Sequence, residues 1–316
     1  MTALRAAVVG VGYLGNFHAQ KYSQLASSVF KDRMSFVGVC DLNPAQAQKV
    51  ADSLKVKAFQ DVRDLIGHVD LVTIATHSVS HFEIAKQLLQ AGIHVNVEKP
   101  MSLTAREAEE LVAIAELKKL KLAVGQSERY SKVYQEWKSQ IGKFSALEFE
   151  RHAPFNARGS DVSVIHDLMV HDLDLSADLF QFELPKVIWA RAGKVLTESW
   201  DWAECLMEWS DGRTAIFSAS RVSAQMIRKA RALTAVGSYL VDFQNGQIDS
   251  ARMGGQGPGA MTMEVQNQVV GKTDNLLLET EAFIHAVLGN SSDYVSGKQA
   301  QQSIQMIEKI EAKLDR

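Results

Sequence analysis

The sequence predicts an α/β protein in two parts: a doubly wound parallel sheet, followed by an α+β domain with an open, mostly antiparallel sheet. Three observations support this fold class. The chain has 316 residues, about twice the ~150 residues usual for one domain. Its first 125 residues alternate short apolar runs with helical stretches, as βαβ units do. After Gly125 the pattern changes to strands that alternate apolar and polar residues. We therefore expect domains over 1–125 and 126–316.

Six short apolar runs predict the parallel strands of the first domain, at 5–10, 35–41, 56–59, 71–75, 94–97 and 122–124. Helices are predicted between them at 14–26, 44–54 and 80–90. Asn43 can cap the second helix, with Pro44 at its first position. Gly92 fits the end of the third helix, and the capping box at 104–107 predicts the start of a fourth.

The second domain opens with a predicted helix at 133–141 and a strand at 144–151. A polar stretch at 155–161 predicts a loop, and 162–180 predicts one long helix. Asp211 and Gly212 form a strong hairpin-turn signal. Strands are predicted at 202–209, 213–222, 230–236, 240–243 and 262–270, and helices at 276–288 and about 298–314. We expect the last helix to pack back on the first domain.

Composition excludes several classes of function. Hydrophobic residues make up 46% and charged residues 22%, which is ordinary globular usage. The net charge is −3, without the basic excess usual in proteins that bind nucleic acid. We find no apolar run long enough for a membrane span and no signal-peptide pattern. Cys40 and Cys205 cannot form a disulfide framework. We therefore expect a cytoplasmic protein that binds neither nucleic acid nor membrane.

Residues 10–15 form a G-x-G-x-x-G loop between an apolar strand and a helix. This context favours a dinucleotide-binding loop over an ordinary glycine turn beside a surface aspartate. Gly10 allows a tight turn, Gly12 lets a pyrophosphate approach, and Gly15 lets helix and strand pack closely. Asp41, at the end of the second strand, can accept hydrogen bonds from both ribose hydroxyls and would repel a 2′-phosphate. Because no arginine follows Asp41, the pattern favours NAD over NADP.

Polar residues also follow the fourth and fifth strands. His77, Ser78 and His81 come where a nicotinamide ribose would lie, although a serine here can equally be a helix cap. Lys99, between Glu98 and a proline, ends the fifth strand at the edge that faces the crevice. A lysine there can polarise a hydroxyl or carbonyl oxygen. The alternative is a strand end marked by solvated charges.

The richest polar cluster lies in the predicted helix at 162–180. Asp167, His171 and Asp174 are spaced to share one helical face. A carboxylate one turn before an imidazole can fix its tautomer, so that His171 acts as a general base. Two alternatives remain: polar groups satisfied within a helix, or a metal site formed by these three side chains.

Taken together, the glycine loop, Asp41, Glu98-Lys99-Pro100 and Asp167-x-x-x-His171 resemble the glucose-fructose oxidoreductase/inositol dehydrogenase/MocA (Gfo/Idh/MocA) family over nearly the whole chain. The resemblance implies a Rossmann domain and an open-sheet domain that carries substrate and oligomer surfaces. It implies that Lys99, Asp167 and His171 are catalytic. The positions that it places near the cofactor are Gly10, Gly12, Tyr13, Leu14, Gly15, Asp41, Thr76, His77, His81, Glu98 and Lys99.

The run from Asp161 to Asp174 resembles the branch of this family that oxidises UDP-N-acetylglucosamine at its 3-hydroxyl. We therefore expect a sugar dehydrogenase that uses NAD, with a later aminotransferase in lipid A or surface-polysaccharide synthesis. Asn156, Arg158 and Asp174 are the expected substrate residues. Arg158 can bind a diphosphate through its planar fork, and the alternative is a solvated surface arginine.

Two other functions stay open at this point: an inositol-type dehydrogenase of free polyols or sugars, and a non-catalytic regulator that senses NAD. Lys99 and His171 favour the enzyme. The alternating hairpin at 202–222 could pair sheets across subunits. We therefore expect a homodimer or homotetramer.

Overall fold

In the computed structural model, residues 3–156, 159–254 and 262–314 are described. The chain forms two compact units. Unit one comprises Met1–Ser127 and Asn275–Ile304, and unit two comprises Glu128–Asp274 and Gln305–Arg316. The predicted boundary after residue 125 thus lies two residues from the observed one.

Unit one contains a six-stranded, wholly parallel sheet. Its strands are β1 (Leu4–Val9), β2 (Met34–Cys40), β3 (Lys57–Phe59), β4 (Leu71–Ile74), β5 (His94–Glu98) and β6 (Leu122–Gly125). Their spatial order is β3-β2-β1-β4-β5-β6, the doubly wound order in which ligands bind beyond the carboxyl ends of the strands. Strands β4 and β6 are buried along their whole length, which explains their continuous apolar runs.

Unit two contains an eight-stranded mixed sheet. Its strands are β7 (Phe144–His152), β8 (Lys186–Gly193), β9 (Trp202–Glu208), β10 (Thr214–Ser220), β11 (Ile227–Thr234), β12 (Gly237–Asp242), β13 (Gln247–Gly254) and β14 (Thr262–Val269). The order is β14-β13-β12-β11-β7-β10-β9-β8. Only β7 and β10 pair in parallel among these described strands.

The α-helices of the described residues are α1 (Tyr13–Ser27), α2 (Pro44–Leu54), α3 (His81–Gln90), α4 (Ala105–Leu117), α5 (Lys132–Ile141), α6 (Val170–Leu179), α7 (Asn275–Val287) and α8 (Gly297–Leu314). The predicted helix signals hold at two of them. Asn43 accepts hydrogen bonds from the backbone of the first turn of α2, and Thr104 and Glu107 form a complete capping box before α4. None of the described helices combines the length and the apolarity that crossing a bilayer requires.

The assignment of all of 126–316 to the second domain needs correction. Helix α7 belongs to unit one because its apolar side chains Phe283 and Ile284 share a buried cluster with Tyr22 and Leu25 of α1. Helix α8 begins in unit one and ends in unit two. The predicted packing of the last helix on the first domain therefore applies to only part of it.

Two strands and one helix differ from the sequence prediction. The sequence prediction lacks strands β8 and β13. A register shift between Val187 and Trp189 breaks the alternation in β8, and polar residues interrupt the apolar pattern of β13. The long helix predicted at 162–180 is in fact a π-helical turn at Ile165–Met169 followed by α6. A π-helical turn shifts the angular positions of side chains and is frequent at functional sites.

Candidate active site

The glycine loop between β1 and α1 has room for glycine alone at two positions. Gly10 has a φ of +80°, and a Cβ there would lie 2.7 Å from the carbonyl oxygen of Ala75. A Cβ on Gly15 would overlap the carbonyl oxygen of Gly10. At Gly12, by contrast, no described atom lies within 4 Å of such a Cβ. The loop is therefore closely packed at Gly10 and Gly15 and open at Gly12.

The first turn of α1 suits an anionic group. Gly12 is the N-cap and supplies no side-chain cap, and the turn contains no acidic residue. Backbone N–H groups at such a terminus can bind a phosphate. Tyr13 is exposed and Leu14 half-buried in this turn. The loop and helix therefore fit the pyrophosphate of a dinucleotide.

Asp41 holds the glycine loop in place. Its Oδ2 accepts a hydrogen bond from the N–H of Val11 at 2.8 Å, and its Oδ1 accepts one from the N–H of Asn43 at 2.9 Å. The side chain is half-buried. Each carboxylate oxygen has a further lone pair, so Asp41 can accept ribose hydroxyls as well as shape the loop.

Strand β4 leads into Thr76, His77 and His81. His77 is exposed, whereas His81 is buried. The His81 ring binds backbone on both sides, with Nδ1 2.8 Å from the carbonyl oxygen of Pro100 and Nε2 3.2 Å from that of Thr76. Burial lowers the pKa of His81. The His81 side chain therefore lies between the segment after β4 and the segment that follows Lys99, in contact with a backbone carbonyl of each.

Strand β5 places Glu98 in the interior and Lys99 at the edge. Glu98 is buried and Lys99 half-buried. The Oε1 of Glu98 lies 2.7 Å from Nε2 of His18, and its Oε2 accepts the N–H of Lys99 at 3.2 Å. The Lys99–Pro100 peptide bond is cis. Glu98 therefore holds the backbone of the residue that follows it.

Sequence reasoning missed a group that we call the Glu98 cluster: His18, Asn96, Glu98 and Glu279. All four side chains are buried, and Nδ2 of Asn96 donates to Oε1 of Glu279 at 3.3 Å. Asn96 and His18 could have been noticed as polar residues at apolar-facing positions of a strand and a helix. Glu279 gave no such signal, because it lies 183 residues from Asn96 in the sequence.

In unit two, Asp167 lies in the π-helical turn and His171 in α6. Both side chains are half-buried. Gly159 has a φ of +82°, and a Cβ on it would lie 2.6 Å from Oδ2 of Asp167. The backbone of Gly159 therefore packs directly against the catalytic carboxylate candidate.

Asp174, an expected substrate residue, is paired with an arginine in the interior of unit two. Its carboxylate is buried and accepts hydrogen bonds from Nε and Nη2 of Arg129 at 2.6 and 2.7 Å. This pairing does not favour the predicted substrate contact, nor a metal site shared with Asp167 and His171. Neighbouring Asp172 is bound in the same way by Arg151, at 2.7 to 3.1 Å.

A third buried ion pair holds the segment before Asp167. Arg221 donates to Oδ1 of Asp201 at 2.8 Å and to the carbonyl oxygens of Gly159 and Val162 at 3.2 and 2.8 Å. Burial opposes ionisation of Asp201. The backbone N–H donors of 195–197 and the Arg221 guanidinium outweigh that effect and hold its pKa well below the ordinary value. Asn156 is exposed, and the predicted substrate residue Arg158 lies outside the described residues.

Comparisons with family models, with known sequences and with solved structures all find similar oxidoreductases. Residues 4–126 match a family model described as an oxidoreductase family with an NAD-binding Rossmann fold. The chain is 35% identical to UDP-N-acetylglucosamine 3-dehydrogenase of Acidithiobacillus ferrooxidans over 299 residues, 94% of this chain and 93% of that one.

Two further similarities extend this result. A solved structure of that Acidithiobacillus ferrooxidans enzyme superposes with a TM-score of 0.87 at 31% identity, over 100% of this chain and 99% of the other. An inositol 2-dehydrogenase of Salmonella typhimurium is 27% identical over 66% of this chain and 65% of its own length.

Proposed function

This chain belongs to the Gfo/Idh/MocA oxidoreductase family, and on that premise we propose that it oxidises the 3-hydroxyl of UDP-N-acetylglucosamine to a ketone with NAD. Membership makes it an enzyme that acts on CH–OH groups with a nicotinamide cofactor. The observation that carries the substrate proposal is the 35% identity to a UDP-N-acetylglucosamine 3-dehydrogenase over 94% of the chain. That similarity includes unit two, where Asp167 and His171 lie.

Residues of both units have roles in the proposed reaction. NAD, when bound, supplies the hydride acceptor. In unit one, the glycine loop and Asp41 bind the dinucleotide, and Lys99 hydrogen-bonds the reacting oxygen and stabilises its developing negative charge. In unit two, His171 takes the hydroxyl proton and Asp167 orients the imidazole.

The keto sugar nucleotide formed in this way is a suitable substrate for an aminotransferase. We place the reaction in the cytoplasm, in lipid A or surface-polysaccharide synthesis. The sequence run at 161–174 and the similarity to the Acidithiobacillus ferrooxidans enzyme support the substrate on which this setting depends.

The protein is also proposed to form a homodimer or homotetramer through the outer face of the unit two sheet. Trp189 and Ile216 are both paired in register with Leu206 across three neighbouring strands. Trp189 and Ile216 are exposed, and Leu206 is half-buried. Light scattering should give a multiple of 34.9 kDa that falls in Ile216→Glu but not in Leu117→Glu, whose exposed leucine lies in unit one. A monomeric wild-type protein would contradict this proposal.

A substrate panel read as NADH absorbance tests the reaction. UDP-N-acetylglucosamine should support NADH formation, and UDP alone should inhibit competitively against it. UDP-glucose, free N-acetylglucosamine and myo-inositol are the matched comparisons. Activity with myo-inositol and none with UDP-N-acetylglucosamine, without inhibition by UDP, would assign the inositol-type reaction instead.

A further inference from the structure

The Glu98 cluster brings two carboxyl groups together in the interior of unit one. Asn96 and Glu98 are two residues apart on β5 and so share one face of the strand. His18 reaches this face from α1, and Glu279 reaches it from α7. One ligand-capable atom from each of His18, Glu98 and Glu279 lies within 4.8 Å of the other two.

Hydrogen bonding is distributed unequally between the two carboxyl groups. Glu98 has the His18 imidazole on Oε1 and the Lys99 N–H on Oε2. Glu279 accepts a single hydrogen bond on Oε1, from the Asn96 amide. Among the described residues, Oε2 of Glu279, Oδ1 of Asn96 and Nδ1 of His18 have no hydrogen-bond partner. Glu98 is therefore far better prepared to carry a negative charge than Glu279.

Two buried carboxylates with oxygens within 4.8 Å of each other cannot both ionise without a large free-energy cost, since each disfavours the charge of the other. Burial, followed by the charge of Glu98, raises the pKa of Glu279 well above its usual range. Burial also opposes the charge of Glu98, but the hydrogen bond and charge of His18 and the charges of Lys99 and His81 outweigh it, so its pKa is lowered. The Tyr22 phenol, with its raised pKa, faces the same cluster and stays neutral.

We propose that Glu279 is a positioning residue for Lys99: it retains a proton, leaves a single negative charge on Glu98, and so keeps Glu98 bound to the Lys99 backbone. The proposal rests on the role of Lys99 proposed above. Space around Glu98 is limited, because a Cβ on Gly125 would lie 2.9 Å from its carboxylate. If Glu279 also ionised, the repulsion between the two carboxylates would therefore displace Glu98, and the Lys99 backbone with it.

Infrared spectroscopy tests the proton without any substrate. The carbonyl stretch of a neutral carboxyl group should be present in the wild-type protein at neutral pH and absent in Glu279→Gln. Glu281→Gln is the matched control on the same helix, because Glu281 is half-buried and lies 3.7 Å from His285. An unchanged band in Glu279→Gln overturns the proposal, whatever the substrate of the enzyme is.

Kinetics then tests the positioning role. Glu279→Gln, which keeps a neutral hydrogen-bonding group, should keep kcat. Glu279→Leu should lower kcat about ten- to hundredfold with the KM for NAD little changed, since small misplacements of catalytic groups cost that much. The alkaline limb of the wild-type kcat profile should move to higher pH in Glu279→Gln.

Three results would overturn the positioning role. The first is a Gln variant as slow as Leu, and the second is superposable pH profiles. The third is a stoichiometric bound metal that is lost in Glu279→Gln, which would make the cluster a metal site.

Discussion

The two units bury their carboxylates with different partners. Among the described residues of unit two, every buried carboxylate is paired with a buried guanidinium: Arg129–Asp174, Arg151–Asp172 and Arg221–Asp201. In unit one the buried carboxyl groups, Glu98 and Glu279, are hydrogen-bonded by the His18 imidazole and the Asn96 amide. Arginine stays charged at all ordinary pH values, whereas histidine does not.

This difference separates a scaffold from a site that responds to pH. The arginine pairs of unit two keep one arrangement over a wide pH range and support the half-exposed Asp167 and His171. The Glu98 cluster has no guanidinium, so its net charge depends on how many protons it holds. Changes in the arginine pairs of unit two should therefore affect folding, and changes in the Glu98 cluster of unit one should alter pH dependence.

The largest effect should come from the groups assigned to the chemistry. His171→Ala in unit two and Lys99→Met in unit one should each lower kcat by about 10²–10⁴, the usual contribution of a positioned acid–base group. NAD affinity, measured by fluorescence titration, should change little. His285→Ala serves as the control, because His285 lies near the end of α7, where it contacts Glu281, Asn290 and the ring of Phe30, and has no part in the proposed reaction. Full turnover in His171→Ala would show that His171 of unit two does not take part in the proton transfer.

Next in size is the loss of one arginine pair. Arg151→Met leaves Asp172 buried without its cation, which costs about 3–5 kcal/mol of unfolding free energy. The double variant Arg151→Met/Asp172→Leu should recover most of that loss. Denaturant unfolding measures both, and Arg191→Met, from the exposed pair with Glu204, should cost less than about 1 kcal/mol. Equal losses in Arg151→Met and Arg191→Met would contradict the scaffold role.

Sequence reasoning performed best where the signal is local. The glycine loop was recognisable because Gly10 and Gly15 occupy positions that admit no other residue. The parallel strands were recognisable because burial on both faces demands an unbroken apolar run. Both requirements are met within a few residues of chain, so the pattern alone predicts the dinucleotide-binding half of the site.

What the sequence could not predict depends on partners distant along the chain. Asp174 has the helical spacing of a site residue, yet Arg129, 45 residues earlier, binds its carboxylate. Glu279 acquires its environment only because α7 packs against α1. The π-helical turn that carries Asp167 likewise breaks the regular helix that the spacing of polar residues predicted. Such features require the tertiary structure.

Asp41 tests cofactor choice in unit one. Asp41→Ala should weaken NAD binding by roughly 2–4 kcal/mol, because two charge-assisted hydrogen bonds to the ribose are lost. The ratio of kcat/KM for NAD to that for NADP should fall with it. Asp41→Asn separates ribose binding from the support that Asp41 gives the Val11 N–H, since it keeps one acceptor oxygen. An unchanged NAD/NADP ratio in Asp41→Ala would contradict this role.

Stability should depend on pH through Glu279. A carboxyl group whose pKa is raised by folding stabilises the protein below its unfolded pKa, and that stability is lost as pH rises towards the folded value. Relative to Glu279→Gln, the unfolding free energy of the wild-type protein should thus fall by about 1.4 kcal/mol per pH unit above pH ~4.3, until the folded pKa is reached. Glu279→Gln keeps only the pH dependence of the other titrating groups. Parallel curves for the two proteins, measured by denaturant unfolding from pH 5 to 8, would show that Glu279 is ionised in the native state.

The smallest expected effect is on the rate of cysteine alkylation, which compares local opening in the two units. Cys40 ends β2 in unit one and Cys205 lies in β9 of unit two, and both thiols are buried. Burial, then the charge of Asp41, raises the pKa of Cys40 to about 12, so an alkylating reagent reacts only after local opening. The Cys40 carbonyl also accepts the N–H of Gly10, so an opening that exposes Cys40 disrupts the glycine loop.

NAD at about ten times its Kd should then slow Cys40 labelling roughly tenfold. Labelling of Cys205, followed by peptide mass spectrometry in a Cys40→Ala variant, should not change. Equal protection of both cysteines would mean that the two units open together, and the contrast between them would not extend to their stability.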